Sequence, residues 1–468
     1  MIAAIVAAVT IVCLLALVII VARDQIAGSA VRVEGGRGGD DAAEQRAVLE
    51  AHLARDPDDD AAVADLAALA TAERRWADAA AQWGRLAKLD PLHPDARFEQ
   101  ARALLAIGDP EAAVVALTAD GREPTGRERV LLARAALVRG DLDEARTHAA
   151  AAAQESPELP AVRLLQADLA FLGADDEHAR TLYGVLLNDT ETAAAAGLGL
   201  AQLALRAGDR DAALAQLAAL PDEAGFQVLS ARAALYRQLG RDDDAVADYR
   251  ALQDRYGPLP DVIVPLAELY AAQQDAAAVR ASRLSLVGTA ASDLAARHYL
   301  QAIESYLAGD TSATRDYLGW AADFFAGRDL YRWMELDVGA ELGDPKLVHA
   351  AVTSLEAGVV SPLRRERAAA VLTGRAAEFA DAGDAITAAV LAGAALELVP
   401  DLASARLVAA RAALLSGDHA RAAALAEPLT RSDTERTAAL EVLGRAALRA
   451  DQHERAAAYF DDLAKATP

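Results

Sequence analysis

Chemistry requires converging reactive groups, and this chain of 468 residues offers few of them. No GxxxxGK[ST] stretch occurs to cradle phosphates, no HExxH to hold zinc and no GxSxG to present a nucleophile. The glycine run at residues 35–39 has no strand before it, and the acidic run at residues 56–60 lacks the Gly and Glu of a calcium loop. A single cysteine excludes an intramolecular disulfide and a Cys-based zinc site. His419 and His453 follow equivalent turns by two residues, but a metal needs three or four converging ligands, so they read as surface histidines. Asn188-Asp189-Thr190 fits a glycosylation sequon, a pattern too short to use. No catalytic residue, cofactor or metal is expected.

What remains is recognition chemistry. Arg364, Arg365 and Arg367 form the densest cationic run, with Arg375 about two turns on, and guanidinium forks grip carboxylates in bidentate fashion. The bland reading of these arginines is a solvated set paired with local acids. Aromatic residues make up only 4% of the chain, yet eight fall in one short stretch: Tyr299, Tyr306, Tyr317, Trp320, Phe324, Phe325, Tyr331 and Trp333. Arg328 and Arg332 lie among them, and aromatics with Arg are the residue types that dominate interface hot spots. The candidate partner contacts are therefore Tyr306, Tyr317, Trp320, Arg328, Tyr331, Arg332 and Trp333, together with Arg364, Arg365 and Arg367. The same aromatics at helical spacing would also fill a locally wider core, and both readings stay open at this level.

The elements that position these residues follow from composition and period. Alanine occupies 121 positions, about a quarter of the chain, so the core is thin and suits closely packed helices. Lys plus Arg total 46 against 70 Asp plus Glu, a net charge of -24, which excludes a general cationic field for nucleic acid. Residues 1–22 carry no charge and little polarity, long enough for a single transmembrane helix. The alternative is a cleaved signal peptide, but nothing basic precedes the apolar run. Arg23, Arg32 and Arg37 follow it, which places the C-terminal bulk on the cytoplasmic side by the positive-inside tendency, with the other orientation still open. Residues 23–40 then read as a Gly-rich tether.

From there to the C-terminus a pattern recurs: a turn residue, most often Gly and usually followed by Asp, with a small or β-branched residue five positions on. The turns fall at Arg74, Gly108, Gly140, Ala174, Gly208, Gly240, Gln274, Gly309, Gly343, Gly383, Gly417 and Asp451. Their spacing is about 34 residues throughout except for a longer step before Gly383, which implies an extended helix or loop at residues 358–365. Gly ends one helix in a left-handed conformation, the Asp caps the next, and the small residue lets the two approach. Each unit is a helical hairpin that cannot bury its apolar face alone, so the hairpins must stack.

The period, the Gly-Asp turns, the small residue early in the second helix and the Pro after it, as in Asp90-Pro91, Ser156-Pro157 and Val399-Pro400, resemble tetratricopeptide repeats. The unit at residues 58–91 is the best match, with Leu66, Ala67, Trp76, Ala79, Trp83 and Pro91 roughly at the family's packing positions. The resemblance implies an all-α solenoid of about twelve hairpins over residues 41–468. It also implies binding of extended or helical protein segments along the first helices, and no catalysis. Joined to a membrane helix, it is similar to bacterial envelope scaffolds, which implies a single-pass protein of the bacterial inner membrane. The family's Lys/Asn carboxylate clamp cannot be assembled here, since the chain has three lysines and a single asparagine, Asn188. Two further classes stay open: a self-assembling solenoid, with Tyr459 and Phe460 as an apolar end, and an accessory repeat region of an enzyme complex.

Overall fold

The computed structural model describes residues 39–119, 121–222, 224–288, 290–357, 362–432 and 434–466. The apolar segment at residues 1–22 and most of the expected tether lie outside these. Among the described residues there is no strand, and no helix is long and apolar enough to cross a membrane. A leading helix, Gly39–Leu53, takes in the last two residues of the expected tether and precedes twelve helical hairpins.

The chain divides into two compact units, the described parts being residues 39–257 and 258–466. The first holds the leading helix and hairpin 1 (Asp60–Ala72 and Trp76–Leu89), hairpin 2 (Ala96–Ile107 and Pro110–Thr118) and hairpin 3 (Gly126–Arg139 and Leu142–Glu155). Hairpin 4 (Pro160–Leu172 and Asp176–Leu186), hairpin 5 (Ala193–Arg206 and Arg210–Ala218) and hairpin 6 (Phe226–Gln238 and Asp242–Tyr256) complete it. The second holds hairpin 7 (Pro260–Ala272 and Ala276–Ser285), hairpin 8 (Ala291–Leu307 and Thr311–Phe325) and hairpin 9 (Asp329–Leu342 and Pro345–Ala357). Hairpin 10 (Pro362–Asp381 and Ala385–Leu398), hairpin 11 (Ala403–Leu415 and His419–Ala426) and hairpin 12 (Arg436–Arg449 and His453–Ala466) follow. The long step before Gly383 is taken up by the 20-residue first helix of hairpin 10.

Every hairpin turns the same way. All twelve turn residues have positive φ, from 56° at Asp451 to 86° at Gly383, including the non-glycines Arg74, Ala174 and Gln274. After each, the next amide donates back to the carbonyl five residues earlier, as Asp109 does to Leu104 and Asp175 to Ala170, closing a Schellman turn that satisfies the helix end. The following Asp caps the second helix: Asp141 accepts from the Glu144 amide at 2.9 Å and Asp209 from the Ala212 amide at 2.9 Å. Where Arg75 or Arg241 replaces that Asp, no side-chain cap forms.

The residue five positions after each turn is buried in every hairpin, from Ala79 to Ala456, Val279, Thr314 and Val348 included. With no bulk there, the two helices close on each other, and the core is built largely of Ala and Leu. In hairpin 1, Leu66, Ala67, Ala79 and Trp83 are buried, and the Trp83 Nε1 donates to the Thr71 hydroxyl at 2.9 Å. The main packing joins helices that are neighbours or next-but-one in sequence, the pattern of stacked repeats. Within the first unit a longer-range contact is added, where the Arg74 guanidinium sits 3.6 Å from the centre of the Phe226 ring.

Candidate functional site

The aromatic and arginine stretch occupies hairpins 8 to 10, and the fold separates it into three environments. The first is interior. Tyr331 is 2% exposed and its hydroxyl donates to the Leu318 carbonyl at 3.0 Å. Burial pushes that hydroxyl up to about 12. Tyr299 is fully buried, stacked on Phe325 at 4.8 Å between ring centres, with its hydroxyl donating to Glu268 at 2.9 Å. The same buried Glu268 accepts from Arg328 through Nε at 2.5 Å and Nη2 at 2.8 Å. For two of the candidate contacts this geometry supplies partners within the chain. Tyr331 packs in the core, and Arg328 neutralises a carboxylate of hairpin 7; both serve the stack.

The second environment is the shared surface of three consecutive first helices, those of hairpins 8, 9 and 10. The Tyr306 hydroxyl donates to Asp337 at 2.7 Å, and burial, followed by that carboxylate, holds its pKa well above the ordinary tyrosine value. The Arg367 guanidinium lies 4.9 Å above the half-buried Trp333 ring. Arg364 donates to Asp329 at 2.5 Å, both being exposed. Further along, Arg375 donates to Glu378 at 2.8 Å and stands 3.8 Å from Glu341, and the hydrogen bond to Glu378 raises its pKa. Arg365 is half-buried on the same helix, and the Arg332 Nε donates to the Ala326 carbonyl at 3.2 Å. Tyr306, Trp333, Arg364 and Arg367 are thus brought together, each already held by a residue one repeat away.

The third environment is the second helix of hairpin 8. Trp320 is 62% exposed and Phe324 54% exposed. Trp320 meets the Tyr317 ring edge-on at 5.5 Å and the His298 ring at 5.1 Å. Tyr317 and Trp320 therefore lie apart from the first-helix band, on a surface of their own.

Reading by residue type misses the acids that hold the band, Asp329, Asp337 and Glu341, and the ring of His298. Their signal is positional: Tyr306 with Asp337 and Glu268 with Tyr299 are each 31 residues apart, so with the hairpins aligned on their turns each pair lies about one helical turn out of register. Among the described residues, one His and carboxylate group converges: His52, Asp56 and Asp59, with ligand atoms within 4.8 Å of one another. His52 Nε2 is 2.7 Å from Asp59, whose other oxygen caps the helix at Ala62, so both oxygens of Asp59 are engaged, one by the His52 ring and one by the cap. His419 and His453 open the second helices of hairpins 11 and 12.

No family model and no curated protein matches the chain. Solved structures similar to it include a human IFIT1 dimer with PPP-AAAA, at 12% identity and TM-score 0.44, the match covering 84% of this chain and 99% of that one. The APC/C hetero-tetramer Cut9-Hcn1 is similar at 13% identity and TM-score 0.32, over 85% of each chain. A tetratricopeptide repeat protein from Parabacteroides merdae is similar at 14% identity and TM-score 0.28, over 69% of this chain and 98% of that one.

Proposed function

We propose that this chain is a membrane-anchored scaffold that binds other proteins and gathers them at a bacterial inner membrane, without catalysing a reaction. The observation that carries the reading is the first-helix band of hairpins 8 to 10, where half-exposed Tyr306 and Trp333 lie beside Arg364 and Arg367. Aromatic rings supply apolar area at little entropic cost, and the guanidinium forks can exchange an exposed internal carboxylate for one offered by a partner. Exposed pairs such as Arg364 with Asp329 contribute little to the fold, so the exchange costs little. The apolar residues 1–22 supply the anchor in this reading, with the hairpins on the cytoplasmic side. Tethering then raises the local concentration of whatever the hairpins hold.

Crosslinking in the native membrane, followed by identification of the captured proteins, tests the proposal. Other proteins should be recovered from the wild type and fewer from Trp333→Ala/Arg367→Ala, with helicity and melting preserved. Recovery of nothing but the chain itself would sink the scaffold reading.

A further inference from the structure

The outer stripe of hairpin 8 takes no part in the first-helix band, and its chemistry specifies an occupant. Along the helix Thr311–Phe325, Asp316, Gly319, Trp320, Asp323 and Phe324 fall at positions i, i+3, i+4, i+7 and i+8, a single face more than two turns long. All five are exposed. Leu294, one turn before His298 on the neighbouring helix, is 45% exposed and extends the apolar surface. Exposed aromatics at helical spacing are read by another helix laid along them.

Resting on the reading of this chain as a protein-binding scaffold, we propose that this stripe docks a basic amphipathic helix of a partner protein, its apolar side chains on Trp320 and Phe324 and its Lys or Arg on Asp316 and Asp323. Charge decides between occupants. A second copy of the chain would set carboxylate stripe against carboxylate stripe, and an anionic lipid surface would meet the same repulsion. A cationic helix instead finds two carboxylates interleaved with the rings, on a chain whose net charge is -24. Asp316 is held by Arg315 at 3.0 Å, an exposed neighbour pair that a partner's cation can replace. Gly319 adds a second argument. Glycine is disfavoured in a helix interior, yet a Cβ built here meets nothing within 4 Å, so no neighbour in the chain demands its absence. The open position leaves room for a helix backbone to cross close to Trp320.

The test uses the full chain and a fluorescent helical peptide with a leucine face and a lysine face, beside a counterpart carrying glutamate for lysine. The lysine peptide should bind, more weakly as salt rises. Its affinity should fall about tenfold or more in Trp320→Ala/Phe324→Ala. Asp316→Lys/Asp323→Lys should reject the lysine peptide and accept the glutamate one. Gly319→Leu should keep its helicity and melting while losing the peptide. Equal binding of the two peptides by the wild type, or lysine-peptide binding that ignores Trp320 and Phe324, would overturn the proposal. So would Trp320-dependent self-association, or Trp320-dependent sedimentation with phosphatidylglycerol vesicles, when the lysine peptide does not compete. If crosslinking recovers other proteins equally from the wild type and from Trp320→Ala/Phe324→Ala, the scaffold stands and this stripe is not its docking face. If crosslinking recovers no other protein, the scaffold reading itself has failed.

Discussion

Replacing Ala174 with glycine should stabilise hairpin 4. Ala174 has φ 59° and is exposed, so its methyl group contributes no packing to offset the conformation. An L-residue held in the left-handed region costs about 1–2 kcal/mol, and glycine gives back about 0.4–1 kcal/mol through the freedom of the unfolded chain. The net gain is about 0.5–1 kcal/mol. The hydrogen bonds of the turn, Ala174 amide to Phe171 at 3.1 Å and Asp175 amide to Ala170 at 3.0 Å, are backbone to backbone and survive the change. Gly140 provides the reciprocal: φ is 81° and a Cβ meets nothing within 4 Å, so Gly140→Ala should lose a similar amount through backbone strain alone. Arg74→Gly should gain almost nothing, because its guanidinium lies 3.6 Å from the Phe226 ring centre and 5.0 Å from that of Trp76, contacts worth about 0.5–1 kcal/mol. Stacked repeats do not unfold as one unit, so amide hydrogen exchange of the hairpin 4 peptides is the appropriate assay. Exchange should slow about two- to fivefold in Ala174→Gly, since tenfold corresponds to about 1.4 kcal/mol. Unchanged or faster exchange in Ala174→Gly, or an unaltered hairpin 3 in Gly140→Ala, would refute the strain argument.

Two further outcomes follow from buried charge. Arg328→Ala removes the guanidinium that meets the 4%-exposed Glu268 and should destabilise hairpins 7 to 9 by about 3 kcal/mol, read as faster exchange there and a lower melting temperature. Asp168, in the first helix of hairpin 4, is pushed up to about 6 because burial outweighs the hydrogen bond from Tyr183 and the attraction of Arg134. Its folded form therefore holds the proton more tightly than its unfolded form, and its contribution to stability falls as pH rises from about 4 to 6. Asp168→Asn should flatten that part of the profile in melting experiments between pH 4 and 7; superimposable profiles would show that Asp168 does not titrate as described.

The hairpin architecture was legible because one backbone requirement repeats. A left-handed turn followed by a cap favours Gly-Asp, and a close helix crossing demands a small residue five positions on, so both leave marks in residue type. The mark persists where the glycine is lost: Arg74, Ala174, Gln274 and Asp451 are recognisable only by spacing, yet each adopts the same left-handed turn. The candidate site was legible in location and not in partition. Tyr331 and Trp320 look alike as members of one aromatic stretch, but Tyr331 is buried against the preceding hairpin and Trp320 is exposed, a distinction fixed by helix rotation and not by residue type.

Buried polar side chains account for the rest of what the sequence conceals. Counting back six residues from the turns of hairpins 2 to 5 reaches Arg102, Arg134, Asp168 and Gln202, and the same step in hairpin 7 reaches Glu268. Charge and polarity at these places suggest solvent, yet all five are buried. A core repeated twelve times in alanine and leucine gives each hairpin nearly the same apolar surface as the next, so apolar packing discriminates weakly between correct and shifted stacking. Ion pairs discriminate strongly, because a buried charge set against the wrong hairpin loses its counter-charge and costs several kcal/mol. Arg97 reaches Glu128 at 2.9 Å from hairpin 2 to hairpin 3, and Arg328 reaches back to Glu268. Such pairs differ from hairpin to hairpin, so they supply the individuality that the small-residue repeat removes; spacing marks where a buried polar residue falls, and residue type does not say which partner it meets.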